Sequence, residues 1–416
     1  MFELADAGTL GFDDERLARI APFLAKTYID SGRLPNAQLV IARDGQPVHY
    51  TKLGSMGDDK RELRDDALFR IASMTKPVTS IAFMQLVEQC EVALEEPVAR
   101  IFPEFADLKV YAGGGGAIPF APGKPASAMR FVDLLTHMSG LTYGLQNRNN
   151  IDAAYRENNF DFARDHLDSD AFIEKLSKLP LEFAPGTGWN YSVSTDVLGV
   201  AVERISGMRL GDYFEKHIFA PLGMTDTHFG VAEGQSERLV DAYAYQPGHA
   251  PKMINAGATS KLNEPGAFDS GGGGLIGTIA DYHRFSTMLL NGGDLDGARI
   301  VSPKTIRLMR TNHLPNNADL TEMSSSLFSE ANNAGTGFGL GFAMVIDPSK
   351  TLMPSSEGEF YWGGAYSTAF FVDPVERITM VFMTQVYPSS TYPMRRQLKT
   401  LIYSALTDSY ADGDRP

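Results

Sequence analysis

The chain has one cysteine, Cys90, in 416 residues. A lone thiol excludes an intrachain disulfide and any cysteine metal cluster, and its place late in an apolar helical run predicts a buried, inert side chain. Basic residues are outnumbered: 37 Lys+Arg face 51 Asp+Glu, a net charge of −14. With no run of Lys or Arg, nothing concentrates positive charge to track phosphates, so no nucleic-acid partner is expected. No segment reaches the roughly 18 to 20 uninterrupted apolar residues of a membrane span. The opening "MFELADAGTLGFDDERLARI" carries acids where a secretory signal carries a basic region. The expectation is a soluble, cytoplasmic protein without membrane contact. The eight histidines show no H-x-x-x-H spacing, which argues against a zinc hydrolase. No Gly-x-Ser-x-Gly occurs, which argues against a nucleophile elbow, and no repeat of fixed period is present.

What is there is a globular composition, 43% hydrophobic, with length for one large domain or two ordinary ones. Leu17, Ile20, Leu24 and Tyr28 recur at helical spacing from Asp14 to about Ser31, with Pro22 expected to bend that helix or delay its start. "AQLVIARDGQPVHYTKLG" reads as two strands around an Asp44-Gly45 turn. "FGLGFAMVID", "STAFFVDP" and "ITMVFMTQV" read as further strands, followed by a helix from Met394 to Leu406. In the middle, "FVDLLTHMSGL", "SDAFIEKLSKL" and "STDVLGVAVERISG" carry helical periodicity between Gly/Pro/Asn-rich loops. The simplest arrangement is α+β: an antiparallel sheet from both chain ends (1–80 and 275–416), flanked by terminal helices, with a mostly helical insertion (81–274) and a cleft between the two.

"RIASMTKPVTSIAFMQLVEQC" sets Ser73 and Lys76 three residues apart at the start of an apolar run, so both face one side of a helix. A serine hydroxyl needs a proton acceptor within reach, and a lysine serves only when neutral, through burial or neighbouring positive potential. Backbone N–H groups at the helix start favour the charge that develops during attack. The bland alternative is a helix cap beside an exposed lysine. "FAPGTGWNYSVSTDVLGVAVERISG" brings Tyr191 to the front of another helix, as a relay between nucleophile and leaving group or as a packed ring. "YWGGAYSTAFFVDP" opens a strand with Trp362-Gly363-Gly364-Ala365, where glycines let a substrate approach the backbone, or where a bulge carries a packed indole.

Together with "LLTHMSGLTYG", "PLGMTDT" and "GGGGLIGTIADYHRF", these segments resemble the class C β-lactamase and penicillin-binding-protein superfamily, and within it the family VIII carboxylesterases. The resemblance spans about Leu68 to Asp373. It implies a β-lactamase-like fold, no cofactor or metal, Ser73 as acylated serine, Lys76 and Tyr191 as its partners, and the amides of Ser73 and Ala365 as oxyanion hole. Two departures point to uncharged esters. The Tyr-x-Asn of the lactamases is Tyr191-Ser192-Val193 here, and Lys-Thr-Gly is Trp362-Gly363-Gly364.

The expected activity is therefore hydrolysis of small to medium carboxylic esters through an acyl-enzyme. The rivals are a β-lactamase or D-amino-acid amide hydrolase on the same serine, and a catalytically dead binding protein. Tyr143, Trp189, Val193, Phe268, Trp362, Gly363, Gly364 and Tyr366 are the expected substrate contacts. His137 is expected to be structural, "NEPGAFDSGGGG" a loop at the cleft rim, and "TDSYADGDRP" a solvated terminus. Subunit number is left open, a homo-oligomer included.

Overall fold

The computed structural model describes residues 2–324, 333–389 and 391–412. Its centre is a seven-stranded antiparallel sheet. β1 (Asn36–Arg43) and β2 (Gln46–Gly54) come from the N-terminal part; β3 (Thr336–Phe338), β4 (Ala343–Val345), β5 (Phe360–Gly363), β6 (Ala369–Asp373) and β7 (Ile378–Met383) come from the C-terminal part. The spatial order is β2-β1-β7-β6-β5-β4-β3, so the two chain ends meet where β1 pairs with β7, with Val40 opposite Val381. Asp44 and Gly45 both take positive φ, 51° and 77°, the turn that matches strand twist in a two-residue hairpin.

β1 is buried along its whole length because both faces are covered. Leu39 and Ile41 face a core that includes Leu17, Ile20, Leu24 and Tyr28 from the N-terminus and Leu398 and Ile402 from the helix Met394–Ser404. Val40 faces the opposite core, with Val78 and Ile81 of helix α1 (Thr75–Glu88) and Phe285 of a helix at Ile279–Leu290. The expected α+β architecture, a sheet from both ends flanked by terminal helices, is what is observed. The first helix is broken into Asp14–Leu17, Ile20–Leu24 and a wider turn at Ala25–Ile29, with Pro22 in the first turn of the second piece.

α1 is buried from Thr75 to Leu86, so it is a central helix rather than an amphipathic surface one. It ends at Glu88, and Cys90 falls just outside with φ 60° and an exposed side chain. The expectation of a buried thiol is therefore corrected: the apolar periodicity stops one turn earlier than the sequence pattern implied. The C-terminal segment is also corrected. Instead of lying solvated, Asp408 pairs with the fully buried Arg43, the Tyr410 ring lies 3.8 Å from that guanidinium, and the Tyr410 N–H donates to Glu376 at 3.0 Å. The last residues of that stretch, 413–416, lie outside the described residues. Between the two ends of the sheet run most of the remaining helices, including α2 (Ser194–Ser206), which packs against α1, and a hairpin of Ala242–Gln246 with His249–Asn255. Among the described residues no helix is long and apolar enough to cross a membrane.

Candidate active site

Ser73 lies in a tight helical turn, Ala72–Met74, that leads into α1. Ala72 takes φ 46°, a left-handed conformation that a residue with Cβ adopts at some cost, and this reverses the chain between the strand Phe69–Arg70 and the helix. Lys76 follows one turn later and its Nζ donates to Ser73 Oγ at 3.1 Å. Tyr191, from the loop before α2, donates its OH to the same Oγ at 2.6 Å. Three side chains separated by up to 118 residues thus meet at one oxygen.

The surroundings of Lys76 explain why it holds still. It is 1% exposed, and besides Ser73 its Nζ donates to Tyr143 OH at 3.0 Å and to Gly272 O at 2.5 Å. Its ammonium also lies 4.7 Å from the centroid of the Tyr191 ring, over the electron-rich face. On the far side of the Gly272 peptide is Asp196, whose Oδ1 accepts from the Gly272 N–H at 3.0 Å and from Ser270 Oγ at 2.5 Å. Burial pushes the Asp196 carboxyl above its ordinary range, against the opposing pull of Lys76 and these hydrogen bonds. Gly272 must be glycine, because a Cβ there would lie 2.2 Å from Asp196 Oδ2. In the loop 263–274, Glu264, Pro265 and Ala267 are exposed and only the later part turns inward. Gly271 and Gly272 are buried between α1 and α2, with Thr79 Oγ1 donating to Gly271 O at 2.7 Å.

Tyr143 is a hydrogen-bond partner of Lys76 rather than simply a wall, and burial, with Asp196 next, raises its phenol well above the ordinary range. Tyr191 is enclosed by aromatic rings: His137 at 5.0 Å, Tyr143 at 5.2 Å, Trp362 at 5.5 Å and Trp189 stacked at 6.4 Å between centroids. His137 is buried, its Nδ1 is 3.2 Å from Ser192 Oγ, and desolvation followed by the Lys76 charge holds its pKa well below the usual value, so it is neutral. Trp189 is also buried and backs the Tyr191 ring.

Other expected substrate contacts are placed differently. Phe268 is 2% exposed and stacks on Phe172 at 4.9 Å, in the core rather than facing open space. Val193 is fully buried ahead of α2, its N–H donating to Thr142 O at 3.1 Å. Trp362 is half-buried against the Tyr191 ring, and Tyr366 is half-buried with its ring 6.1 Å from that of Tyr387. The glycines after Trp362 leave room for protein, not only for substrate: a Cβ on Gly363 would meet the Arg395 guanidinium at 2.3 Å, and one on Gly364 would meet Ile71 O at 2.3 Å. Ala365 follows in the turn after β5, half-buried. Asp196 and Gly272 escaped the sequence reading. Their signal was faint: an acid five residues past Tyr191 and a glycine run too short to be a linker. Among the described residues no group of three or more His, Cys, Asp or Glu side chains is placed to hold a metal.

A serine bonded by a buried lysine and a phenol, beside an antiparallel sheet, is the arrangement of the β-lactamase-like fold. The sequence profile of the beta-lactamase family matches residues 20–403, and the chain belongs to that family. It is 35% identical over 364 residues to protein Rv1367c of Mycobacterium tuberculosis, spanning 86% of this chain and 88% of the relative. It is 32% identical to the esterase EstB of Burkholderia gladioli, spanning 89% of this chain and 91% of the relative. The solved structure of EstCE1, described as a hydrolase with promiscuous acyltransferase activity, superposes with a TM-score of 0.77 at 25% identity, over 95% of this chain and 99% of that one.

Proposed function

We propose that the chain is a carboxylic ester hydrolase that cleaves small to medium esters through an acyl-enzyme on Ser73. The observation that carries this reading is the double contact at Ser73 Oγ, with Tyr191 OH at 2.6 Å and Lys76 Nζ at 3.1 Å. Both are within the distance at which a proton moves to or from a reacting oxygen. Ser73 Oγ attacks the ester carbonyl as its proton passes to Tyr191, acting as a phenolate favoured by the adjacent Lys76 ammonium, and the C–O bond to the alcohol breaks as the Tyr191 phenol protonates the departing alkoxide. Water then attacks the acyl-serine, giving a proton to the Tyr191 phenolate, and the acid leaves as Tyr191 returns that proton to the serine. The backbone N–H groups of Ser73 and Ala365 are the donors to the tetrahedral oxyanion, each contributing about 3 kcal/mol to lowering the barrier.

The similarity to EstB supports an ester as substrate. So does the aromatic enclosure of Tyr191, with Trp362 in place of a cationic side chain at the start of the strand segment. Trp362, Gly363, Gly364, Tyr366 and Tyr143 line the substrate path in this reading. The division into a sheet unit (1–80 and 275–416) and an inserted unit (81–274) belongs to the same proposal and is supported by the shared sheet of both ends. The test is a panel of p-nitrophenyl esters of rising acyl length run beside nitrocefin. Hydrolysis of the acetate to hexanoate esters at least about tenfold faster than nitrocefin, in kcat/KM, is expected, a gap of about 1.4 kcal/mol in transition-state stabilisation. Nitrocefin turnover that rivals the esters would move the assignment to amide substrates.

A further inference from the structure

The oxyanion reading above needs two backbone N–H groups, on Ser73 and Ala365, that lie on different elements yet keep one spacing. We infer that Gln385 is a positioning residue that sets this spacing, acting through main chain on both sides and touching no substrate itself. The inference rests on the assignment of Ser73 and Ala365.

Arg70 lies three residues before Ser73, in the two-residue strand Phe69–Arg70 that pairs with Ile276–Gly277. That pairing uses one edge of the strand, continued by the Ile71 N–H donating to Leu275 O at 3.1 Å. The N–H and C=O of Arg70 itself belong to the other edge, beyond the bridge that Leu68 makes with Leu239. Gln385 takes that place with its side chain: Oε1 accepts from the Arg70 N–H at 3.2 Å, and Nε2 donates to Arg70 O at 3.1 Å. A carboxamide presents an acceptor and a donor side by side, as a peptide group does, so one side chain imitates a strand neighbour. Both Nε2 hydrogens are used, the second toward Thr384 O at 2.7 Å, which fixes the orientation of the amide. Gln385 is fully buried, so water does not compete for these bonds.

The next residue continues the brace to the second donor. Val386 N–H donates to Tyr366 O at 3.1 Å, and Ser367 Oγ donates to Val386 O at 2.7 Å. Tyr366 and Ser367 directly follow Ala365 in a turn that Ser367 enters with φ 69°. A displacement of Gln385 therefore moves the Ala365 turn relative to the segment that carries Ser73. Contacts on Ile71, from Thr368 Oγ1 at 3.3 Å and from the close approach of Gly364, set how near the two segments come. Gln385 sets how they are registered along each other. Arg70 closes the clamp, its Nη1 reaching Gln385 Oε1 at 3.4 Å and Val240 O at 2.7 Å.

The test uses Gln385→Glu, which removes the donors, and Gln385→Met, which removes both kinds of bond at similar volume. Active sites are counted with a fluorophosphonate, turnover is measured on p-nitrophenyl butyrate, and inhibition by a trifluoromethyl ketone reports affinity for a tetrahedral adduct. The expected result is a fall in kcat per titrated site of about 10- to 100-fold, KM within about twofold, and ketone affinity weakened by a similar factor to kcat. A residue with only a structural role would lower melting temperature and the count of active sites while leaving kcat per site within about threefold of wild type. That outcome overturns the inference. Should the Met variant fail to fold, Ser367→Ala removes only the hydroxyl bond to Val386 and is expected to lose about 3- to 10-fold in kcat per site at unchanged KM. No loss there overturns the inference equally. If the wild-type protein is not labelled at Ser73, the oxyanion reading falls first and the role of Gln385 with it; labelled wild type with unaffected variants removes Gln385 alone.

Discussion

Replacing Lys76 by methionine keeps the unbranched stem of the side chain and deletes the three hydrogen bonds of its terminal nitrogen at once. Gly272 O, buried behind it, loses the donor at 2.5 Å, and leaving a buried carbonyl unsatisfied costs about 1 to 3 kcal/mol. The neighbouring Asp196 carboxylate, 4% exposed, loses the cation that favours its charged form. Removing one member of a buried pair of charges costs about 3 to 5 kcal/mol when the other stays ionised. Part of that cost is offset, because Asp196 Oδ1 keeps its hydrogen bonds from the Gly272 N–H and Ser270 Oγ. The net expectation for Lys76→Met is a loss of about 3 kcal/mol in urea unfolding, together with a loss of about 100- to 10,000-fold in ester turnover. Adding Asp196→Asn should then restore about 1 to 2 kcal/mol of stability without restoring turnover, because the stranded charge disappears and the cation beside Ser73 and Tyr191 does not return. The cycle is read from urea midpoints at constant m. If the two substitutions simply add to within about 0.5 kcal/mol, Lys76 and Asp196 do not stabilise each other across the Gly272 peptide and the reasoning fails.

Gly272→Ala should act through the same contact: its Cβ would fall 2.2 Å from Asp196 Oδ2, so unfolding free energy should drop by about 1 to 3 kcal/mol and turnover should fall with it, while Gly207→Ala, at a helix end with open space, should leave turnover unchanged. Deleting residues 408–416 removes Asp408 and Tyr410 from the buried Arg43, so chemical denaturation should show a loss of about 1 to 3 kcal/mol with kcat/KM preserved; an equal stability would mean that the C-terminal segment is not docked in solution. His137 and His283 are both buried and neutral, with His283 held down to about 4 by desolvation first and then Arg284. Their folded pKa values lie below the unfolded one, so their contribution is fully present above about pH 6.5 and is lost as pH falls below it, for His283 toward about 4, at up to about 1.4 kcal/mol per pH unit for each. Urea unfolding at pH 7, 6 and 5 should show this slope, and His283→Asn should make it shallower.

Much of the fold could be read because its signals are local. Asp44-Gly45 demands a particular turn, and the alternation around it fixes two strands. Ser73 and Lys76 are three residues apart on a helix, so their meeting follows from helical geometry alone. Tyr191 was found through its place in a family pattern, since nothing local ties a tyrosine to a serine 118 residues away. Asp196 and Gly272 could not be read in this way, because their part in the site depends on which loop is buried against which helix. The same limit explains the C-terminal segment, whose acidic composition resembles a solvated tail until Arg43 supplies a buried cation from the opposite end of the chain. Cys90 shows the reverse error. The apolar pattern of the helix before it extends to Cys90, but the backbone turns left-handed there and turns the thiol outward. Val193 and Phe268 sit close in sequence to residues of the site and point into the core instead.

The central claim is that one hydroxyl, on Ser73, carries the acyl group. Intact-mass spectrometry after brief exposure to a fluorophosphonate or to a slowly hydrolysed ester, followed by peptide mapping, addresses it directly. The account predicts a single adduct, confined to the peptide that contains Ser73 and absent from Ser73→Ala, which should also have lost ester turnover while keeping the wild-type unfolding midpoint. An adduct on any other residue, or a Ser73→Ala protein that still hydrolyses esters at near the wild-type rate, would contradict it.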